Sequence, residues 1–252
     1  MAGWPAGIGR EIHDSLDSTN AEALRRAAAG ESGPLWIMAR VQTAARGRRG
    51  RPWSAPDGNF GATLLSRPSG DRALRSFVAA LGLYDALVAL TGRPELFALK
   101  WPNDVLLSGG KLAGILLEAV NGGALAMGVG VNLASAPDPA GLEPGAVPPV
   151  SLRGATGLAV RPEELLDRLA PAVAAWEDRL NVEGLAPLRA AWLARATRLG
   201  GEVTARLPGR TLCGRFETID PTGALVLATA EGRIALPAAE IAFAGAAEAA
   251  GH

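Results

Sequence analysis

From Leu96 to Leu133 the chain alternates short apolar runs with tight-turn sequences, and that rhythm leaves few folds open. The run Leu96-Phe97-Ala98-Leu99-Lys100 meets a break at Trp101-Pro102-Asn103-Asp104 and resumes at Val105-Leu106-Leu107. Ser108-Gly109-Gly110 is a tight turn, so Lys111 to Glu118 should return antiparallel to Val105–Leu107. Asn121-Gly122-Gly123 is a second turn of that kind, leading into Ala124 to Leu133. The spacing predicts a sheet of consecutive hairpins in the middle of the chain.

Around this centre the pattern changes period. Leu35 to Val41 and Asn59 to Ser66 read as strands, and Ile12 to Asn20 as a brief alternating segment ending in hydroxyl and amide residues. Ala21 to Ala29 reads as a helix, with Thr19 and Glu22 spaced as a capping box that puts Ser18-Thr19-Asn20 at its N-terminus. Leu74, Phe77, Val78, Leu81, Tyr84 and Val88 mark one face of a helix over about 71–90. Further helices are expected at about 162–180, with Leu165, Leu166, Leu169, Val173 and Trp176 inward, and at 184–197. Residues 135–149, rich in Pro, Gly and Ala, read as irregular. From Gly201 short strands at 203–207, 211–219, 224–228 and 233–236 are separated by turn sequences, which predicts a small all-β unit. The fold class is therefore α/β (α+β): a mixed, mainly antiparallel sheet with flanking helices over residues 1–198, a small β-barrel over 199–245, and a loose tail over 246–252.

Between the strands Leu35–Val41 and Asn59–Ser66 stands the segment Gln42-Thr43-Ala44-Ala45-Arg46-Gly47-Arg48-Arg49-Gly50-Arg51-Pro52-Trp53. Four arginines in six positions cannot form a buried face. Its glycines let backbone N–H groups turn toward an anion, and guanidinium adds paired donors matched to carboxylate or phosphate. Taken alone, such a run is more often a solvated loop or a nucleic-acid patch. The net charge of the 252 residues is zero, with 25 basic and 25 acidic side chains, so the loop is a local feature and not part of a basic surface. One cysteine, Cys213, excludes an internal disulfide framework. Two histidines, His13 and His252, make a histidine-built metal site or catalytic triad unexpected. No signal peptide and no apolar run of bilayer length is evident, and the expected location is the cytoplasm.

Four polar elements stand out against the sheet: Ser18-Thr19-Asn20, Gln42 with Arg46 to Arg51, Lys100-Trp101-Pro102-Asn103-Asp104, and Lys111-Leu112-Ala113-Gly114-Ile115. Together with Gly128-Val129-Gly130-Val131-Asn132 they resemble the biotin protein ligases, in order from about Leu16 to Leu152. The resemblance continues more weakly into that family's C-terminal barrel, which is similar to a Src-homology barrel. It implies an ATP-dependent ligase that forms biotinyl-5'-adenylate and pyrophosphate. It then transfers biotin to a lysine of a biotin carboxyl carrier protein, with ATP and biotin as substrates and Mg²⁺ as the accompanying ion.

By the same resemblance Lys111 and Arg46 lie at the biotin carboxylate and reacting phosphate, with Arg48 and Asp104 completing the catalytic set. Ser18, Thr19, Asn20, Gln42, Gly47 and Gly114 join Arg46, Arg48 and Lys111 around biotin, and Arg48, Arg51, Trp53, Asn103 and Asn132 face the nucleotide. Trp53 either stacks on adenine or covers the loop. The arginine loop is expected to close over the adenylate and exclude water. Ala45 stands where the family's loop usually has its first glycine, and would be strained there if that position needs positive φ. With so little chain before Ile12 a DNA-binding domain is not expected; neither is membrane association, and homodimerisation is left open. The rival readings are a lipoate protein ligase and, from another class, a nucleic-acid-binding module.

Overall fold

The computed structural model describes residues 3–54, 56–140, 142, 145–237 and 239–243; the tail expected at 246–252 lies outside them. The elements in chain order are β1 (Gly9–Leu16), α1 (Thr19–Ala28), β2 (Leu35–Gln42), β3 (Phe60–Ser66), α2 (Arg75–Thr91), β4 (Phe97–Lys100), β5 (Asp104–Leu107), β6 (Gly110–Ala119) and β7 (Leu125–Val131). Then follow α3 (Leu152–Thr156), α4 (Pro162–Glu183), α5 (Leu185–Leu193), β8 (Glu202–Leu207), β9 (Arg210–Ile219), β10 (Leu225–Thr229), β11 (Gly232–Leu236) and β12 (Glu240–Phe243). The first seven strands form one sheet in the order β1-β2-β3-β7-β6-β5-β4, and the last five form a second, β11-β10-β9-β8-β12.

The hairpins are where the turn chemistry places them. Ser108 and Gly109 both have positive φ, 48° and 85°, the pair a two-residue turn between right-twisted strands requires. The Trp101-Pro102-Asn103 break does not continue a strand. It folds β5 back on β4, with Lys100 opposite Asp104. Only β1 runs parallel to its neighbour, β2, because α1 crosses over between them.

Helix α2 is apolar on more than the one expected face. Phe77, Val78, Leu81, Leu83, Tyr84 and Leu87 are buried, while Leu74 and Val88 are only partly so. It packs between the sheet and α4, and at Gly82 a Cβ would come within 2.7 Å of Val173 Cγ2, so the two helices approach where the side chain is missing. With its preceding turn, Arg72–Thr91 is long and apolar enough to cross a bilayer by length and composition, at mean hydropathy 1.6, against the expectation that no such run exists; most of it is buried in the core. Trp36, Trp176 and Trp192 are buried as packing residues. The second sheet docks on the first unit through edge-on contacts of Trp192 with Phe77 and Phe216, and through Trp101 Nε1 donating to the Gly223 carbonyl at 3.3 Å.

The capping box is not formed as expected. Ser18, extended at φ −158°, is the N-cap, and its Oγ accepts from Ala21 N–H. Thr19 is already helical, and Glu22 pairs instead with Arg25 and Arg26. The short helix α3 and the last strand, β12, carry no clear periodicity and went unread in the sequence.

Candidate active site

One cavity of about 590 Å³ opens over the sheet between α1, the arginine loop, the β4–β5 turn and β12. Every residue singled out above as a candidate lines it. Its floor is glycine: Gly114 of β6 and Gly128 and Gly130 of β7 face the cavity because strands of this sheet present alternate positions to one side. Little else fits there, since a Cβ at Gly128 would lie 2.1 Å from Asn20 Oδ1 and one at Gly130 2.7 Å from Trp53 Nε1.

At one end the groups are neutral. Gln42 Oε1 accepts from Thr19 N–H at 2.7 Å and Thr19 Oγ1 at 3.1 Å. Thr63, fully buried on β3, donates to Asn20 Oδ1 at 2.6 Å and lies 2.9 Å from Thr19 Oγ1. Asn20 Nδ2 donates to Glu118 Oε2 at 2.7 Å. Ser18, Thr19 and Asn20 are all buried, at the N-terminus of α1, where a helix leaves N–H groups for polar ligands.

At the other end the groups are cationic. Residues 46–52 make a small closed loop: Arg46 bridges Pro52, Gly47 N–H donates to the Arg51 carbonyl at 2.7 Å, and Trp53 N–H to the Ala45 carbonyl at 2.9 Å. The left-handed residues are Arg49 and Gly50, at φ 58° and 71°, and not Ala45, which is absent from the positive-φ positions; the alanine in place of glycine is therefore unstrained. Arg46 is held by Glu118 at 3.0 Å, Arg48 by Asn103 Oδ1 at 3.2 Å, and Arg49 and Arg51 by Glu240 of β12 at 3.1 Å. Burial holds the Arg48 guanidinium below the ordinary arginine value, opposed in part by the Asp104 charge.

Between the ends sits Asp104, bonded to Lys111 Nζ at 2.8 Å and close to Lys100 Nζ at 3.5 Å. Burial pushes the Lys100 ammonium down from its ordinary value, and Asp104 pushes the other way. Lys111 Nζ also stands 5.8 Å over the Trp53 ring, which lies against Gly114 and Gly130. Asn103 donates to the Ile115 carbonyl at 2.7 Å, pinning the β4–β5 turn to β6. Asn132 donates to the Val150 carbonyl, while its buried Oδ1 has no partner among the described residues. Among the described residues no group of three or more His, Cys, Asp or Glu could hold a metal ion.

Several contributors went unrecognised in the sequence. Thr63, in the middle of β3, and Glu118, near the end of β6, support the neutral end from beside the cavity, Glu240 and Ile241 of the unanticipated β12 line it, and so do Pro137, Asp138 and Val147 of the segment read only as irregular. Only Glu118, an acid at the end of an apolar strand, offered a signal.

Residues 13–133 match the biotin/lipoate A/B protein ligase family, and residues 199–244 the biotin protein ligase C-terminal domain. A biotin–[acetyl-CoA-carboxylase] ligase of Paracoccus denitrificans is 56% identical over 236 residues, covering 91% of this chain and 98% of that one. A ligase of the same name from Mycobacterium tuberculosis is 35% identical over 219 residues, covering 83% and 79%. In fold the chain is similar to the biotin protein ligase of Aquifex aeolicus, solved in complex with biotin and ATP, at TM-score 0.81, 24% identity and coverage of 93% and 97%.

Proposed function

The chain belongs to the biotin/lipoate A/B protein ligase family, and from that premise we propose that it is an ATP-dependent biotin protein ligase acting on the carrier protein of acetyl-CoA carboxylase. We place its catalytic unit at residues 1–198 and its C-terminal unit at 199–245. The observation that carries the reading is the cavity's division into a neutral hydroxyl and amide end and a cationic end, with Lys111 between them. A neutral cyclic urea suits the first and a triphosphate the second. The volume falls within the range of about 300–1,000 Å³ usual for small-molecule sites.

In the first half-reaction an oxygen of the biotin carboxylate attacks the α-phosphorus of ATP; the bond to the pyrophosphate oxygen breaks and pyrophosphate leaves with the electron pair. A carboxylate is ionised at neutral pH, so no base is required. The barrier is the approach of two anions, and Lys111, Arg46 and Arg48 lower it by standing where charge accumulates. Exchange of Arg49 and Arg51 from Glu240 to phosphate oxygens would close the loop over the nucleotide. The unpartnered Asn132 Oδ1 is placed to accept from an exocyclic amino group of a purine. Asp104 and Glu240, the cavity carboxylates nearest these groups, are already paired with lysine or arginine, so the residues present do not make a cage for Mg²⁺. They fit the ion as a companion of ATP, held by phosphate oxygens and water, where it would offset phosphate charge.

In the second half-reaction the neutral amine of the acceptor lysine attacks the biotinyl carbonyl carbon. The C–O bond to AMP breaks, an amide forms, and the amine's proton passes to Asp104 or through it to water. Lys100 and Lys111 hold the two carboxylate oxygens of Asp104 and so orient it.

Pyrophosphate release measured with ATP and Mg²⁺ plus biotin, lipoate or neither tests the assignment. Release with biotin alone is expected; release with lipoate would move the chain to the sister ligases, and no release would return the arginine loop to a nucleic-acid role. Asp104→Asn should form adenylate at the parent rate and transfer it about 100-fold more slowly. Transfer at the parent rate would remove the role of Asp104.

A further inference from the structure

We infer that Glu118 is a specificity-determining residue: its carboxylate sets the direction of the hydrogen bonds in the neutral pocket, and so selects a ligand head with the donor and acceptor pattern of a cyclic urea. This role takes as given that the cavity binds biotin. Glu118 lies on β6 beside the cavity and touches both ends of the site, through Asn20 Nδ2 at 2.7 Å and Arg46 Nη2 at 3.0 Å.

An ionised carboxylate only accepts, so the group Asn20 turns toward it must be the amide NH₂. Asn20 Oδ1 then faces Thr63 and takes that residue's one hydroxyl proton at 2.6 Å. With the Thr63 proton committed to Asn20, the Thr19 oxygen keeps its lone pairs open to accept an N–H of the ligand. The far end of the chain has its own fixed polarity, because Thr19 N–H can donate only to an oxygen and holds Gln42 by Oε1.

If position 118 could donate as well as accept, a second arrangement would satisfy the side chains of the network. Asn20 would turn its NH₂ to Thr63, Thr63 would donate to Thr19, and Thr19 to Gln42. The spacing of 2.9 Å between the Thr63 and Thr19 hydroxyls permits that bond. The Thr19 oxygen would then be occupied. The reversed arrangement gives up the long 3.5 Å bond from Asn20 Nδ2 to the Leu116 carbonyl, so that carbonyl and, through the shorter 2.7 Å bond, the charge of residue 118 choose between them. A network of one polarity leaves groups unpaired against a wrongly patterned ligand; one that can reverse adapts to it.

The test is Glu118→Gln, which preserves shape and removes the fixed polarity. Its readout is kcat/KM for pyrophosphate release with biotin, with a biotin methylated on one urea nitrogen, which stays neutral and lacks that N–H donor, and with desthiobiotin, which keeps the urea and loses the sulfur. Loss of the Arg46 partner acts equally on all three, because they share one carboxylate tail. The preference for biotin over the N-methylated analogue is expected to fall about tenfold, while that over desthiobiotin is unchanged. Equal losses for all three acids would reduce Glu118 to a packing role and overturn the assignment. Absence of biotin-dependent release from the parent chain would overturn the functional reading and this assignment with it.

Discussion

The two ends of the cavity are built by different means. The neutral end is a closed set of short hydrogen bonds on a glycine floor, all between buried or half-buried groups of α1, β2, β3 and β6. The cationic end is a loop whose arginines are half-buried or exposed and are held by Glu118, Asn103 and Glu240 from three other segments. A satisfied buried network resists change, because any displaced group loses its partner where water cannot replace it. Exposed ion pairs are worth little and exchange readily for another anion. One end is thus suited to discriminate a head group and the other to rearrange around phosphates.

The largest break in that contrast comes from removing the charge between the ends. Lys111→Ala should lower kcat/KM for biotin-dependent pyrophosphate release by about 1000-fold. A fall below tenfold would mean the loop arginines carry the charge stabilisation without it. Next is the glycine floor. In Gly128→Val the new side chain meets an Asn20 amide bonded at both ends, so the KM for biotin should rise by about 10- to 100-fold and that for ATP stay unchanged. An equal rise in both would show that the neutral end is no more rigid than the loop.

The smallest effect is expected at Glu240. Burial raises its carboxyl, but the hydrogen bond from Arg51 and the charges of Arg51, Arg49 and Arg206 outweigh it and hold it below its ordinary 4.5. A carboxylate so depressed contributes its stability in full above 4.5 and loses it as pH falls through its folded value. Glu240→Gln should therefore lower Tm by only about 1 °C near neutrality, and the difference should shrink below 4.5 and vanish once the pH is under the lower folded value. A shift several times larger, or one that persists in acid, would show the latch to be structural and not exchangeable.

Much of this molecule was legible before folding. Glycine and proline turns marked the hairpins from β4 to β7, helical spacing marked α2 and α4, and the arginines between β2 and β3 marked a cationic loop. All of these rest on interactions within a few residues, which turn geometry and side-chain period report directly. The candidate site was also legible as a set, since the motifs of β4 to β7 and of α1 converge on one cavity.

The partners were not. Arg46 meets Glu118 72 positions later, and Arg49 meets Glu240 191 positions later, on a strand whose pattern gave no signal. Thr63 is indistinguishable in sequence from any other residue of an apolar strand, yet it stands at the junction of the neutral network. Local chemistry determined which groups this chain could offer a ligand. Which carboxylate holds which arginine, and which way each amide points, was decided only when the sheets closed, because such pairings depend on distances that no local preference encodes.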